Sequence, residues 1–382
     1  MSQQIDNLLG DNDILGAISE CIQKRQYNLG ILLCRVYEPI AKGKEFKLLK
    51  EKLNQIIKSL ENEGNIVLNS ESVFDTENEP LLTPQEVAEA TSDGKIIRVM
   101  LLANWADSKT CCNFYNKMTK GNYRWNNLEL VWQEPCDYYV VLNCPPINVI
   151  PPPERTILFH MEPYMERNRM SWGDWAVPPK DILKFTGTHK NTYNNLDWHL
   201  NKTYTQLMTE PVVKKESVST TLSTVLSKKY HDVGHIKRID FVKYLDRKKF
   251  DVHVYGDNHF KWKKYCGTLP HLKKDDGMFP YKYVFNAENN EIRNYFTEKI
   301  VDGILAECLV FYWGCPNLEE YIDSRAFVRL ELIDFEKDMA IIQQAISENW
   351  WEQRLPYIKQ AKQKILNELG FMPRLERIIN ES

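Results

Sequence analysis

Long apolar runs are missing from this 382-residue chain. The longest, such as residues 99–103 and 309–313, fall far short of the ~20 residues a membrane-spanning helix needs. A soluble protein is expected. The start, MSQQIDNLLGDNDILG, lacks a basic segment followed by an apolar one, so no secretory leader is read. Paired cysteines are missing too: there are nine, an odd number, with no CxxC among them. That argues against a disulfide scaffold or a zinc-thiolate site and fits a reduced, cytoplasmic setting. GxxxxGK[ST], GxGxxG and GxSxG occur nowhere suitable, which removes the P-loop, dinucleotide and serine-hydrolase readings. Nor is one sign of charge in excess. With 49 Lys and Arg against 52 Asp and Glu, bulk attraction to nucleic acid or anionic membrane is not expected to drive binding.

What is present is a globular composition, 43% hydrophobic and 26% charged, at a length that suits two or three domains. Residues 13–62 carry apolar positions at three- to four-residue spacing, for example Ile14, Leu15, Ile18 and Ile22, and read as a helical hairpin or small bundle. An acidic linker at 69–80 follows, so an N-terminal helical domain is placed at 1–92. The pattern then changes to strands at 97–103, 128–132, 138–142 and 156–160, with Pro145, Pro146 and 151–153 confined to loops between the last two. This is a first α/β unit at 93–210. A second, at 211–335, has candidate strands at 250–255, 283–287 and 309–313 and helices around 236–245 and 295–306. Helices at 336–382 should pack back on the body, with Trp350 and Trp351 on an apolar face. The N-terminal helices, lacking recognisable chemistry, are expected to pack on that body or to mediate self-association into a homo-oligomer.

Charge is unevenly distributed. Residues 201–280 contain 16 Lys and Arg against 9 Asp and Glu, which makes the second unit locally cationic and suited to a phosphorylated ligand at helix starts. His231 and His235 have a zincin-like spacing, but the glutamate base is absent and Gly234 weakens a helix, so no metal site is expected. The most informative stretch is 281–300. A strand runs into a polar loop at Glu288 and Asn289, then Thr297, Glu298 and Lys299 enter a helix whose free N–H groups and dipole favour anions. Lys299 could meet a phosphate there, and Glu298 could accept from a ribose diol.

This stretch resembles family 10 glycosyltransferases, the α1,3- and α1,4-fucosyltransferases, whose signature runs roughly YKFxLxFENSxxxxYVTEKI, then a strand and YWGxP. Tyr281, Lys282, Tyr283, Glu288, Asn289, Tyr295, Thr297, Glu298, Lys299, Ile300, Tyr312, Trp313, Gly314 and Pro316 fall in register without a gap. Arg238 and Phe241 resemble the family's RxxFxxxL helix. The resemblance implies a GT-B fold, two Rossmann-like domains facing a cleft, and inverting, metal-independent transfer from a nucleotide-diphosphate sugar, GDP-fucose first, to a glycan hydroxyl. It needs no cofactor and no nucleic-acid partner. It also implies Arg238 and Lys299 on the diphosphate, Glu298 on the ribose, and Asn289 and Tyr295 on the nucleotide, with Glu288 in the same donor loop. Glu162, a carboxylate after the strand at 156–160, resembles the general base; His160 could orient it. Ala287, Asn290 and Val310 stand where the signature carries phenylalanine, serine and proline. Another NDP-sugar on the same fold, or a non-catalytic glycan- or nucleotide-binding protein, is therefore the alternative reading.

Overall fold

Strands such as Ile97–Ala103 and Tyr283–Ala287 are mostly apolar along their length, which suits strands covered on both faces of a parallel sheet. The computed structural model describes residues 47–48, 50–52, 55, 95–146, 149–159, 161, 185–187, 196–256, 262–269 and 274–381. Among them the strands form two six-stranded sheets. The first contains β1 (Ile97–Ala103), β2 (Arg124–Trp125), β3 (Leu128–Val131), β4 (Tyr138–Leu142), β5 (Thr156–Phe159) and β6 (Phe185–Gly187). Its order is β2-β3-β1-β4-β5-β6, and every neighbouring pair is parallel except β2 with β3. Helix α1 (Ser108–Asn116) follows β1 and is capped by Asp107, whose side chain accepts from Thr110 N at 2.7 Å.

The second sheet contains β7 (Leu222–Leu226), β8 (Val252–Gly256), β9 (Tyr265–Gly267), β10 (Tyr283–Ala287), β11 (Leu309–Trp313) and β12 (Phe327–Arg329), in the order β12-β11-β10-β7-β8-β9 with all pairs parallel. The chain enters at β7, moves outward to β9 and returns to the other side of β7 as β10. Strand order therefore reverses between β7 and β10, and in open α/β sheets ligands bind beyond the carboxyl ends of the strands at such a point. Helix α2 (Tyr204–Thr209) precedes this sheet, α3 (Val233–Arg247) connects β7 to β8, and α4 (Glu298–Leu305) connects β10 to β11. Every residue of β10 and β11 is buried. At Gly303, a Cβ would lie 2.5 Å from Val310 Cγ2, so this glycine lets α4 press onto β11.

After β12 come α5 (Phe335–Ser347), α6 (Trp350–Lys364), a π turn at Ile365–Leu369 and α7 (Phe371–Asn380). Trp351 Nε1 donates to Glu307 O at 2.7 Å, tying α6 to the end of α4. The next helix returns to the first sheet: Trp125 Nε1 donates to Glu376 at 2.9 Å, and the Phe371 ring lies 4.1 Å from Tyr115 and 5.3 Å from Phe159.

The strands expected at 138–142, 283–287 and 309–313 are found with those bounds. β7 has no counterpart among the expected strands, because Ser223 and Thr224 break its apolar run; both are fully buried, and their hydroxyls donate to Gly277 O at 2.6 Å and Phe285 O at 2.9 Å. The helix expected from 295 begins at Glu298, because Thr297 caps it. Chain contacts separate Met1–Leu81 from Leu82–Ser382. Within the former, residues 47–48, 50–52 and 55 are helical; the rest of the expected N-terminal helical domain lies outside the described residues. No helix among the described residues is long and apolar enough to cross a membrane.

Candidate functional site

The sequence-predicted donor residues converge on the reversal point of the second sheet. Arg238 projects from α3 across the exits of β7 and β10: Nη1 donates to Ala287 O at 3.2 Å and Asn289 Oδ1 at 3.0 Å, and Nη2 to Ser227 Oγ at 3.1 Å. It is only 6% exposed, and burial lowers its pKa against the opposing pull of Glu298 and Glu288. Its Nε is buried without a hydrogen-bond partner. An unsatisfied guanidinium N–H in a buried place is costly, and an anion is the natural acceptor. Gly234, one turn earlier, allows the approach: its N–H donates to Asn289 O at 3.0 Å, and a Cβ there would lie 1.9 Å from Glu288 O. The residue that weakened the helix on paper is required by the packing.

Glu288 is fully buried, and its carboxylate accepts from Thr297 N at 2.9 Å, Thr297 Oγ1 at 2.7 Å and Tyr312 OH at 3.3 Å. It ties the exit of β10 to the cap of α4. Burial raises its pKa, with Lys299 Nζ 3.6 Å away opposing the rise. Gly314, at φ +150°, is the only residue type that fits beside it, since a Cβ would stand 2.4 Å from Glu288 Cγ. The loop that follows is pinned by an amide pair: Asn294 N donates to Asn317 Oδ1 at 2.8 Å, and Asn317 Nδ2 returns to Asn294 Oδ1 at 2.7 Å. Tyr295, next along, is 1% exposed.

Lys299 and Glu298 occupy the first turn of α4, as expected for a helix-start anion site. Lys299 Nζ reaches Glu298 Oε1 at 3.0 Å and Thr297 Oγ1 at 3.2 Å. Burial would push the Glu298 carboxyl up, but Lys299 and Lys274 hold it well below the usual carboxylate range. Glu298 is thus ionised and able to accept from hydroxyls.

Three participants were missed in the sequence. Lys274 Nζ lies 2.9 Å from Asp302 Oδ2 and 3.7 Å from Glu298 Oε1. Asp302, fully buried on α4, also accepts from His199 N at 2.8 Å. His199 belongs to a stretch with a readable signal: Leu196, Trp198 and Leu200 are buried at alternate positions, which directs Asp197 and His199 the other way. Phe114 of α1 meets the His199 ring at 6.2 Å, and Lys117 Nζ donates to Leu200 O at 3.1 Å, so this stretch connects the first unit to α4. Burial raises Asp197 to about 7 and lowers His199 to about 3. Their 3.9 Å separation is therefore not an ion pair in the range between.

In the first unit, Met161 N donates to Asn143 Oδ1 at 2.6 Å, fixing the chain just beyond β5 to the exit of β4. Glu162 and His160 lie outside the described residues. The structure also gathers His231, Asp232 and His235, set aside as ligands on sequence grounds, so that their ligand atoms lie within 4.8 Å of one another.

With this geometry established, comparison with known proteins is informative. Residues 213–352 match the family described as glycosyltransferase family 10 (fucosyltransferase) C-term. An α-glucosyltransferase in complex with UDP and a 13-mer DNA containing a HMU base is similar in fold, at 7% identity and TM-score 0.50, over 75% of this chain and 99% of that one. An α1,3-fucosyltransferase with GDP-fucose aligns at 15% identity and TM-score 0.39 over 73% of this chain and 84% of that one, and another with GDP at 15% and 0.38 over 74% and 96%. No curated protein matches the chain. The two mostly parallel sheets and the likeness in fold to the α-glucosyltransferase give a GT-B fold, as expected.

Proposed function

We propose, from the match of residues 213–352 to the family 10 glycosyltransferase (fucosyltransferase) C-terminal model, that this chain is a fucosyltransferase-like glycosyltransferase and moves a sugar, fucose from GDP-fucose in the first instance, to a glycan hydroxyl with inversion. The observation that carries this reading is Arg238: a buried guanidinium at the sheet's reversal point, anchored to both strand exits yet with Nε unpartnered. In the proposed complex that N–H and Lys299 Nζ meet the diphosphate, where negative charge gathers as the sugar leaves. Lys299 gives up part of its pairing with Glu298, whose carboxylate turns to the ribose diol. Asn289 and Tyr295 contact the nucleotide, and Glu288 keeps α4 and the β10 exit in register.

Inversion requires attack on the face opposite the leaving diphosphate, so the acceptor hydroxyl must come from the first unit. Glu162, one residue beyond the fixed Met161, is proposed to take its proton as general base. Two cations replace a metal at the diphosphate, so transfer should proceed without added Mg²⁺ or Mn²⁺.

A different NDP-sugar has one specific observation in its favour. Asn290, at the signature's serine position, is 6% exposed and its Nδ2 is buried without a hydrogen-bond partner. That donor could meet a group fucose lacks. A thermal-shift panel of nucleotide sugars decides between them, because the true donor raises the melting temperature by mass action. GDP-fucose should give the largest rise. A larger rise with another sugar on GDP, or on UDP, would change the assigned donor, and no rise with any of them would remove the donor site.

A further inference from the structure

A second concentration of chemistry lies just before Arg238, at the start of α3. His235 Nδ1 stands 3.1 Å and His231 Nε2 3.4 Å from the same oxygen, Asp232 Oδ2. Ligand atoms held 2.0–2.2 Å from one tetrahedral cation are separated by roughly 3.3–3.6 Å. Both imidazole-to-carboxylate separations are close to that spacing, and all three ligand atoms lie within 4.8 Å of one another. His235 is 1% exposed, and its Nδ1 is buried with no hydrogen-bond partner although Asp232 lies close. An unsatisfied imidazole nitrogen in such a place is costly, and metal ligation is one way to use it. Asp232 sits at the N-cap of α3, yet its side chain makes no capping hydrogen bond. Its carboxylate faces the imidazoles instead.

We propose that His231, Asp232 and His235 bind one divalent transition-metal ion, zinc in the first place. Two imidazoles and one carboxylate suit zinc and its neighbours in the series rather than magnesium or calcium. The His231 side chain is 48% exposed, so water can complete the coordination there. The ion fastens the loop before α3 to its first turn. That turn also carries Gly234, whose N–H holds Asn289 O at 3.0 Å, so the site braces the helix that bears Arg238 against the donor loop. Its role is in positioning, and no step of the transfer passes through it.

The test uses the full chain, stripped of metal by chelation and dialysis and then titrated with Zn²⁺ and with Co²⁺. One ion should bind, and Zn²⁺ should raise the melting temperature. Bound Co²⁺ should show visible bands without a near-ultraviolet thiolate band, which matters because nine cysteines are the competing ligands. His231→Ala, a change at an exposed position, should keep the wild-type circular dichroism and lose the Zn²⁺-induced stabilisation. Loss of an outer-shell partner alone typically weakens metal sites about 10- to 100-fold, so this variant and Asp232→Asn should weaken binding at least tenfold. Absence of binding, a thiolate band, or wild-type Zn²⁺ affinity in His231→Ala overturns the proposal.

Discussion

Arg238 serves three acceptors from two strand exits, so its removal acts on both ligand and frame. In the proposed complex Arg238→Ala takes a cation from the diphosphate, as Lys299→Ala does from the other side. A charge-assisted hydrogen bond is worth about 1.5–3 kcal/mol, which corresponds to roughly 10- to 100-fold in donor affinity. Both variants should fall in that range by calorimetry, with turnover reduced as well. Wild-type affinity and rate in both would relocate the donor site. Arg238→Lys should recover only part, because an ammonium cannot fork between the two exits. Glu162→Gln makes the complementary case: it keeps shape but cannot accept a proton, so transfer should drop about 100- to 10,000-fold while donor binding holds. Turnover above about a tenth of wild type, outside the range for general-base loss, would place the base elsewhere, with Glu166 the next position to vary.

The stretch from Leu196 to Leu200 shows how one short element couples two units through groups of opposite pH response. Asp197 is raised to about 7 from an ordinary 3.8, so between those values the folded chain keeps a proton that the unfolded chain has lost. Its contribution to stability therefore falls as pH rises through that window. His199 is lowered to about 3 from 6.5, so there the unfolded chain binds the extra proton and stability rises with pH. Relative to wild type, Asp197→Asn should become more stable as pH climbs from ~4 to ~7, and His199→Gln less stable from ~3 to ~6.5. Urea unfolding across that range measures both. Slopes of the same sign, or parallel curves, would contradict these protonation states. Burial is the first cause of both shifts, which explains why composition and spacing gave no hint of them.

For the whole molecule, the open question is what Met1–Leu81 adds to Leu82–Ser382. The proposed donor residues all belong to the second α/β unit. A chain beginning at Leu82 should therefore keep its donor-induced thermal shift, whereas solution mass or melting temperature should change if the removed segment mediates self-association or packs on the body. Light scattering and calorimetry on the two chains test this. Unchanged mass and unchanged melting temperature together would leave neither role standing.

Taken by itself, the sequence was enough to determine the α/β class, the strands at 138–142, 283–287 and 309–313, and the order of Glu288, Asn289, Tyr295, Glu298 and Lys299 along a strand-loop-helix unit. Those follow from local information: an all-apolar run has one economical fate, and a threonine before a helix has a preferred role as its cap. What only the tertiary structure decided is which distant groups meet. It closed the hydrogen bonds of Ser223 and Thr224, so that a polar-looking segment became the central strand β7. It made Gly234 a requirement of close approach, and it brought Lys274 and His199 to Glu298 and Asp302 of α4. The physical reason is common to all of them. Burial and proximity across many residues set hydrogen bonding and charge, and neither is a property of a residue's immediate neighbours in the chain.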